Sequence, residues 1–267
     1  MNNPVRLLIH GASGRMGQAL LRLCAEQEGC QVVAAVATRV GQRVVDGVPW
    51  FTAAELGGVP DFDVAVDFST ASAFDAVLEL CRTRGRALVS GTTGLSEAQH
   101  ETMQTAATAI PVLWASNFSL GVALLHELVE RAARVLPGWD CDIVETHHVH
   151  KQDAPSGTAL TLGDAAGEGG AQARYASIRA GDVVGEHSVL FTTAGERIEL
   201  AHRATNRDIF ASGALHAARL LAGRPPGMHR LRDLLQPHRA RISGFPPLAG
   251  AVSTGAGSGT PVSFPLA

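Results

Sequence analysis

Aromatic residues are scarce in this chain, 5% of 267 residues. That scarcity removes the stacking platforms on which single-stranded nucleic acids bind. A large charge of either sign is also lacking. The formal net charge is −3, and the Lys and Arg residues never form a run, so no electrostatic footprint for nucleic acid or an anionic membrane exists. No stretch reaches the roughly 18 apolar residues of a membrane-spanning helix. The opening MNNPVRLLIHGASG holds an apolar stretch too short for a signal peptide and ends in a glycine loop instead of a cleavage site. The four cysteines, Cys24, Cys30, Cys81 and Cys141, form no C-x-x-C pair and keep no regular spacing, the usage of reduced thiols in a cytosol. These absences predict a soluble, cytoplasmic protein, long enough for one large domain or two modest ones.

Glycine is plentiful instead, at 29 residues, against an ordinary usage of about 7%. Much of it punctuates an alternating pattern. Short β-branched runs at 5–10, 31–37, 62–69, 86–94 and 110–117 read as strands. Helical stretches follow at 15–27, 71–84, 96–109 and 119–136, the first with Met16, Leu20, Leu23 and Cys24 on one face. Near-continuous apolar strands alternating with helices predict a doubly wound parallel sheet of Rossmann-like α/β type. Sites in such sheets form at the carboxyl ends of strands, where GASG, STAS, GTTG and ASNF fall.

From residue 139 the pattern changes. CDIVETHHVH reads as a strand, PSGTALTLGDAAG as a helix, and HSVLFTTAGERIELAHRA (187–204) as two strands turning at Ala194 and Gly195. Their alternation predicts a second α+β domain built on an open, mixed or antiparallel sheet. Helix signals return at 206–223. The expected organisation is residues 1–118 with 207–235 as a dinucleotide-binding domain, 119–206 as a substrate-binding and oligomerisation domain, and 236–267 as a flexible, dispensable Gly/Pro-rich tail.

HGASGRMG follows the first strand with Gly11, Gly14 and Gly17 three apart. It is a relative of G-x-G-x-x-G: small residues let backbone approach a pyrophosphate at a helix N-terminus. Tight strand–helix turns carry glycine for packing as well, and the position in an alternating pattern is what favours nucleotide binding. An NAD-selective site ends its second strand in a carboxylate; this chain has Thr38 and Arg39 there. Arg39 suits a 2′-phosphate, with ordinary surface variation as the alternative.

ETHHVHKQDAPSGTA (145–159) puts three histidines and a lysine into seven positions. Zinc is disfavoured. On a strand only His148 and His150 would share a face, Lys151 repels a cation, and no cysteine completes a tetrahedron. An anion site fits better, because cationic side chains face a Pro-Ser-Gly-Thr helix start whose free N–H groups suit a carboxylate.

HGASGRMG, VDFST, VSGTTGL, ASNFSLGV, ETHHVHKQDAPSGTAL, RAGDVVGEH and FASGALHAARLL resemble, in the same order, the 4-hydroxy-tetrahydrodipicolinate reductase (dihydrodipicolinate reductase) family of the diaminopimelate–lysine pathway. The resemblance covers about residues 5 to 235. It implies reduction of a cyclic dicarboxylate imine by NADPH or NADH. It casts His147 as proton donor, Lys151 as the lysine that assists protonation, and His148, Gly157 and Thr158 as substrate contacts. It further implies that Gly11, Ala12, Ser13, Gly14, Arg15 and Met16 form the pyrophosphate loop. Gly91, Thr92 and Thr93, with Ala115, Ser116, Asn117 and Phe118, fall on the nicotinamide side, although Thr92 and Thr93 also suit a plain turn. Glu145 and Asp153 read as orienting or structural groups. A homotetramer joined through the sheet at 187–204 is implied too, helped by the alternating apolar Val189, Phe191, Ile198 and Leu200. The segment at 164–178 is shorter than in most relatives. The competing readings are another two-domain NAD(P)-dependent dehydrogenase, such as one acting on aspartate, and a catalytically silent nucleotide-binding regulator.

Overall fold

Strand β1 (Val5–His10) lies in the middle of the larger sheet, paired in parallel with β2 (Cys30–Ala37) on one side and β5 (Val64–Asp67) on the other. The structure is a computed structural model that describes residues 3–235; the Gly/Pro-rich segment 236–267, expected to be a dispensable tail, lies outside the described residues. Beyond β5 come β6 (Ala87–Ser90), β7 (Pro111–Trp114) and β12 (Gly227–His229), all parallel. Beyond β2 come β4 (Val48–Thr52) and the two-residue β3 (Val44–Val45). Successive residues of β1 point to opposite faces, and both faces are covered. Leu7 and Ile9 pack with Leu20, Leu215 and Leu221 of helices α1 (Arg15–Ala25) and α6 (Asp208–Leu221). Leu8 packs on the other face with Phe74, Leu78 and Met103 of α2 (Ala71–Arg84) and α3 (Glu97–Ala107). Double burial is why these strands read as continuous apolar runs.

The second sheet runs β11 (Glu196–Ala204), β10 (Gly185–Thr193), β8 (Asp140–His147) and β9 (Ala173–Arg179). It is mixed, with β8 and β9 parallel and the other pairs antiparallel. One face is covered by α4 (Leu120–Val135) and α5 (Gly157–Glu168), where Leu125, Val129 and Leu162 meet Ile143, Val189 and Phe191. Between α6 and segment 236–267, α7 (Leu231–Leu235) packs Leu231 and Leu234 into the first core. No helix among the described residues is long and apolar enough to cross a membrane.

Three local expectations change. The strand expected over 141–150 stops at His147, because the chain turns at His148 and Lys151 N–H bonds back to the His148 carbonyl at 3.1 Å. The short segment 164–178, given no strand by its pattern, contributes most of β9. Val189, Phe191, Ile198 and Leu200, whose alternation suggested a subunit interface, all lie on the face that α4 and α5 cover. Val189 and Phe191 are completely buried there. Val189, Phe191 and the half-buried Leu200 belong to the domain's own core, Ile198 on the edge strand stays exposed, and the open face carries Val144, Ile178 and Leu190.

Candidate active site

The glycine loop forms where β1 ends. Gly11 has φ +79°, and a side chain there would strike the Phe68 carbonyl. A Cβ at Gly17 would strike the Gly11 carbonyl, so glycine lets α1 pack directly on the loop. Gly14 occupies the N-cap, and no side chain bonds the first free N–H groups of α1. Those donors open on a cavity of about 190 Å³ lined by Gly11, Ser13, Gly14, Thr38, Ser69 and Thr70. It sits at the carboxyl ends of β1, β2 and β5, where the sheet's winding reverses. An uncapped helix start beside backbone that no Cβ obstructs fits a dinucleotide's pyrophosphate. Ser13 and Arg15 are exposed and Met16 is half-buried, whereas Ala12 is buried with its N–H bonded to the Val36 carbonyl at 2.9 Å. Arg39 is exposed next to Thr38 and has no hydrogen-bond or ion-pair partner among the described residues.

The floor of this region is a buried polar knot whose members come from the quoted HGASGRMG, VDFST and VSGTTGL stretches, none of which showed that they meet. Asp67, completely buried, accepts hydrogen bonds from His10 Nδ1 (2.8 Å), Ser90 Oγ (2.8 Å), Thr92 Oγ1 (2.7 Å) and Ser69 N–H (3.2 Å). Burial alone would raise its carboxyl, but the bonds from His10, Ser69 and Thr92 outweigh that and hold it below its ordinary value. The Thr92 hydroxyl is thereby committed to Asp67, while Thr93 is exposed. Gly91 leaves room for the Phe68 ring, which tilts against Phe118 at 5.4 Å. Phe118 is buried; Ala115, Ser116 and Asn117 line a neighbouring open cleft.

The histidine-rich stretch opens on a second cavity, also of about 190 Å³. His147, His148, Lys151, Thr158 and Asn117 line it together with Arg207, which sequence reading missed. Asn117 Nδ2 donates to Thr158 Oγ1 at 3.0 Å, tying the loop after β7 to the start of α5. Ser156 caps α5 by accepting from the Ala159 N–H at 3.2 Å, and Gly157 is exposed at the helix start. Lys151 Nζ pairs with Asp153 at 2.7 Å, and its charge lowers the Asp153 carboxyl. His148 is held below its ordinary value by desolvation and then by Arg207 and the neighbouring histidines and lysine. The cavity is electropositive.

Behind His147 stands Glu145, completely buried. It accepts from His147 Nδ1 and from both terminal nitrogens of Arg179, at 3.0 and 2.9 Å. Burial opposes its ionisation, but the bonds from Arg179, Ser177 and His147 prevail and bring it to about 2. Next to His147, at 5.1 Å between rings, lies His187, whose Nε2 meets Ser156 Oγ at 3.1 Å. The His187 Nδ1 has no partner among the described residues. Its cross-strand partner His202 meets Ser119, the N-cap of α4, in the same way at 3.2 Å. Burial, and then the nearby His147, push His187 down to about 4.

This sets a stability slope. Unfolding returns His187 to its ordinary titration, so between pH about 6.5 and 4 the unfolded chain binds the extra proton. The contribution of neutral His187 is complete above that window and is lost as pH falls through it, by about 3 kcal/mol at the acid end. Urea midpoints measured from pH 7.5 to 4.5 should fall steeply for the wild type and less steeply for His187→Gln. Equal slopes would show that His187 does not fold as a buried neutral ring.

Two family models match in tandem: "Dihydrodipicolinate reductase, N-terminus" over residues 5–118 and "Dihydrodipicolinate reductase, C-terminus" over 121–235. The chain belongs to the dihydrodipicolinate reductase family. Among similar curated members, the 4-hydroxy-tetrahydrodipicolinate reductase of Xanthomonas campestris pv. campestris (strain B100) is 69% identical over 234 residues, 87% of this chain and 98% of that one. The reductase of the same name from Xylella fastidiosa (strain 9a5c) is 61% identical over 236 residues, 88% of this chain and 100% of that one. The solved structure of dipicolinate-bound dihydrodipicolinate reductase from Paenisporosarcina sp. TG-14 aligns with a TM-score of 0.75 at 22% identity, covering 87% of this chain and 100% of that one. That likeness establishes a shared fold.

Proposed function

We propose that the second cavity reduces 4-hydroxy-tetrahydrodipicolinate to tetrahydrodipicolinate, in the cytoplasm and within diaminopimelate–lysine synthesis, using NADPH at least as well as NADH. The observation that carries the reading is His147, backed by Glu145, beside Lys151 and Arg207 in one small electropositive cavity. Residues 1–118 with 207–235 form the cofactor domain, and 119–206 the substrate domain. When bound, the nicotinamide supplies a hydride. The N–H groups of Ser13, Arg15 and Met16 would hold its pyrophosphate, while Gly11, Ala12 and Gly14, whose own N–H groups bond within the fold, shape the loop around it. Gly91, Thr93, Ala115, Ser116 and Asn117 frame the nicotinamide side, while buried Thr92 and Phe118 shape that wall from behind.

An ionised Glu145 can only accept, so the His147 Nδ1 carries hydrogen and Nε2 is the atom left for chemistry. Hydride added to a ring carbon conjugated with an imine leaves negative charge along the conjugated system. A proton on His147 Nε2 quenches that charge as it forms. Lys151 exchanges Asp153 for a substrate carboxylate and steadies the same developing charge. The Gly157 and Thr158 N–H groups, the Thr158 hydroxyl and His148 complete a cradle for a dicarboxylate. Four buried free cysteines suit a reducing compartment.

Cofactor choice is tested at Arg39. Thr38 carries no charge to reject a 2′-phosphate, and Arg39 can give it two parallel hydrogen bonds. Arg39→Ala should weaken NADPH selectively by roughly 1.5–3 kcal/mol, read as kcat/KM for each cofactor. A wild type that clearly prefers NADH, or a variant that loses both cofactors equally, would remove Arg39 from this role.

A homotetramer joined through the open face of the second sheet completes the proposal. Val144 and Leu190 are half-buried and Ile178 is exposed on that face. Light scattering at micromolar protein should give a tetramer mass, and Leu190→Arg should dissociate it. A clean monomer mass for the wild type would contradict the assembly.

A further inference from the structure

Arg179 ends β9 in direct parallel register with His147 at the end of β8. Its guanidinium grips two things at once. Both terminal nitrogens bond the two oxygens of Glu145, at 3.0 and 2.9 Å. The same fork reaches the loop beyond His147, bonding the Asp153 carbonyl at 2.5 Å from Nη2 and the Lys151 carbonyl at 3.3 Å from Nε. One side chain therefore connects the carboxylate behind His147 to the backbone that carries Lys151. A lysine has the charge but not the planar fork that makes all these bonds together.

Resting on the proposed reading of His147 and Lys151, we infer that Arg179 and Glu145 form one positioning unit: Glu145 orients the acid His147, while Arg179 fixes the Lys151 loop and offsets the charge of Glu145. Glu145 accepts the His147 Nδ1–H, so the ring's Nε2 points out toward Gly185, where an added Cβ would come within 3.0 Å. Glycine keeps that nitrogen approachable. With His147 neutral, the carboxylate and the guanidinium cancel. Removing either one exposes the ring to the other, and the two removals act with opposite sign.

The remaining charged and titratable groups around His147 are the same in all the variants below. His187 faces it from β10, with His202 of β11 behind. His148, Lys151 and Asp153 face it from the loop, and Arg207 from across the cavity. A difference between variants therefore reports the Arg179–Glu145 pair.

The experiment compares Glu145→Gln, Arg179→Met and Arg179→Lys by pH profiles of kcat/KM, by separate kcat and KM, and by NADPH titration. Glu145→Gln should move the alkaline fall of kcat/KM to lower pH by about one unit, and Arg179→Met should move it to higher pH by a similar amount. Arg179→Lys should leave that limb near the wild type while kcat falls roughly ten- to a hundredfold, because the loop is no longer clamped. NADPH affinity should stay within about twofold in all three. Limbs that shift in the same direction, or that stay fixed in folded protein, overturn the inference, and so does an unchanged kcat in Arg179→Lys. Should Arg179→Met fail to fold, the Glu145→Gln limb decides alone. Nitrogen NMR of His147 in the ligand-free wild type should find the proton on Nδ1; a neutral ring protonated on Nε2 overturns the inference. That measurement needs no turnover, so a chain inactive on the proposed substrate would sink the functional reading and leave the Arg179–Glu145 assignment standing.

Discussion

His147→Ala is expected to lower kcat by ~10²–10⁴-fold, the usual contribution of a positioned general acid, with NADPH affinity nearly intact. The ring lies in the cavity with Lys151, Arg207 and Thr158, apart from the glycine loop that lines the other one. Alanine leaves the Glu145 carboxylate with Arg179 still bonded to both oxygens, so the buried charge keeps a partner and the fold survives. Lys151→Ala should act in the same direction, with a rise in KM as well, because the ammonium both meets a substrate carboxylate and steadies the transition state. Fluorescence titration with NADPH and steady-state rates separate the two effects. If both variants lose cofactor affinity to the same degree as they lose turnover, the cluster has been given the wrong ligand.

The largest expected loss of stability is at Asp67→Ala. Three side chains and one backbone N–H converge on this fully buried carboxylate, and alanine takes the acceptor from the His10 ring and from the Ser90 and Thr92 hydroxyls, while the Ser69 N–H keeps only Thr92 Oγ1 at 3.1 Å. Removing one partner of a buried ionic network costs about 3–5 kcal/mol, which for a chain of this size lowers Tm by roughly 10 °C. Asp67→Asn should cost less, since one amide oxygen still accepts. Because the Asp67 carboxyl is held below its ordinary value, its contribution is present above the ordinary carboxylate range and is lost as pH falls. Calorimetry of both variants at neutral pH is the check, and a loss under about 1 kcal/mol for Asp67→Ala would show that the knot is solvated.

The parallel sheet was legible in sequence because burial on both faces leaves continuous apolar strands bounded by glycine loops, as in Val64–Asp67 before Ser69 and Thr70. β9 was not, because every residue from Arg174 to Ile178 is exposed and no period-two burial marks it. The β3–β4 hairpin had a readable signal that went unused: Asp46 and Gly47 both take positive φ between Val45 and Val48, the Asp-Gly turn preference. At the site, His147, His148, Lys151 and Thr158 sit within a dozen positions and were visible as one motif. Of their supports, Glu145 was read as an orienting group, but its partner Arg179 was not. Arg179 reaches Glu145 from 34 positions away, and Asp67 meets His10 across 57; only strand register makes them neighbours. Arg207 lies within the helical signal at 206–223 and His187 inside the quoted RAGDVVGEH, yet nothing local distinguishes a cavity residue there from a surface one.

The most direct test is a coupled assay in which the preceding synthase generates 4-hydroxy-tetrahydrodipicolinate while the absorbance of the reduced nicotinamide is followed. The predicted result is NADPH oxidation that depends on both the synthase and this protein, is slower or equal with NADH, and disappears in His147→Ala. NADPH left unoxidised in the presence of fresh synthase product, or oxidised only with an oxo acid and ammonia as an aspartate-type dehydrogenase would require, would contradict it.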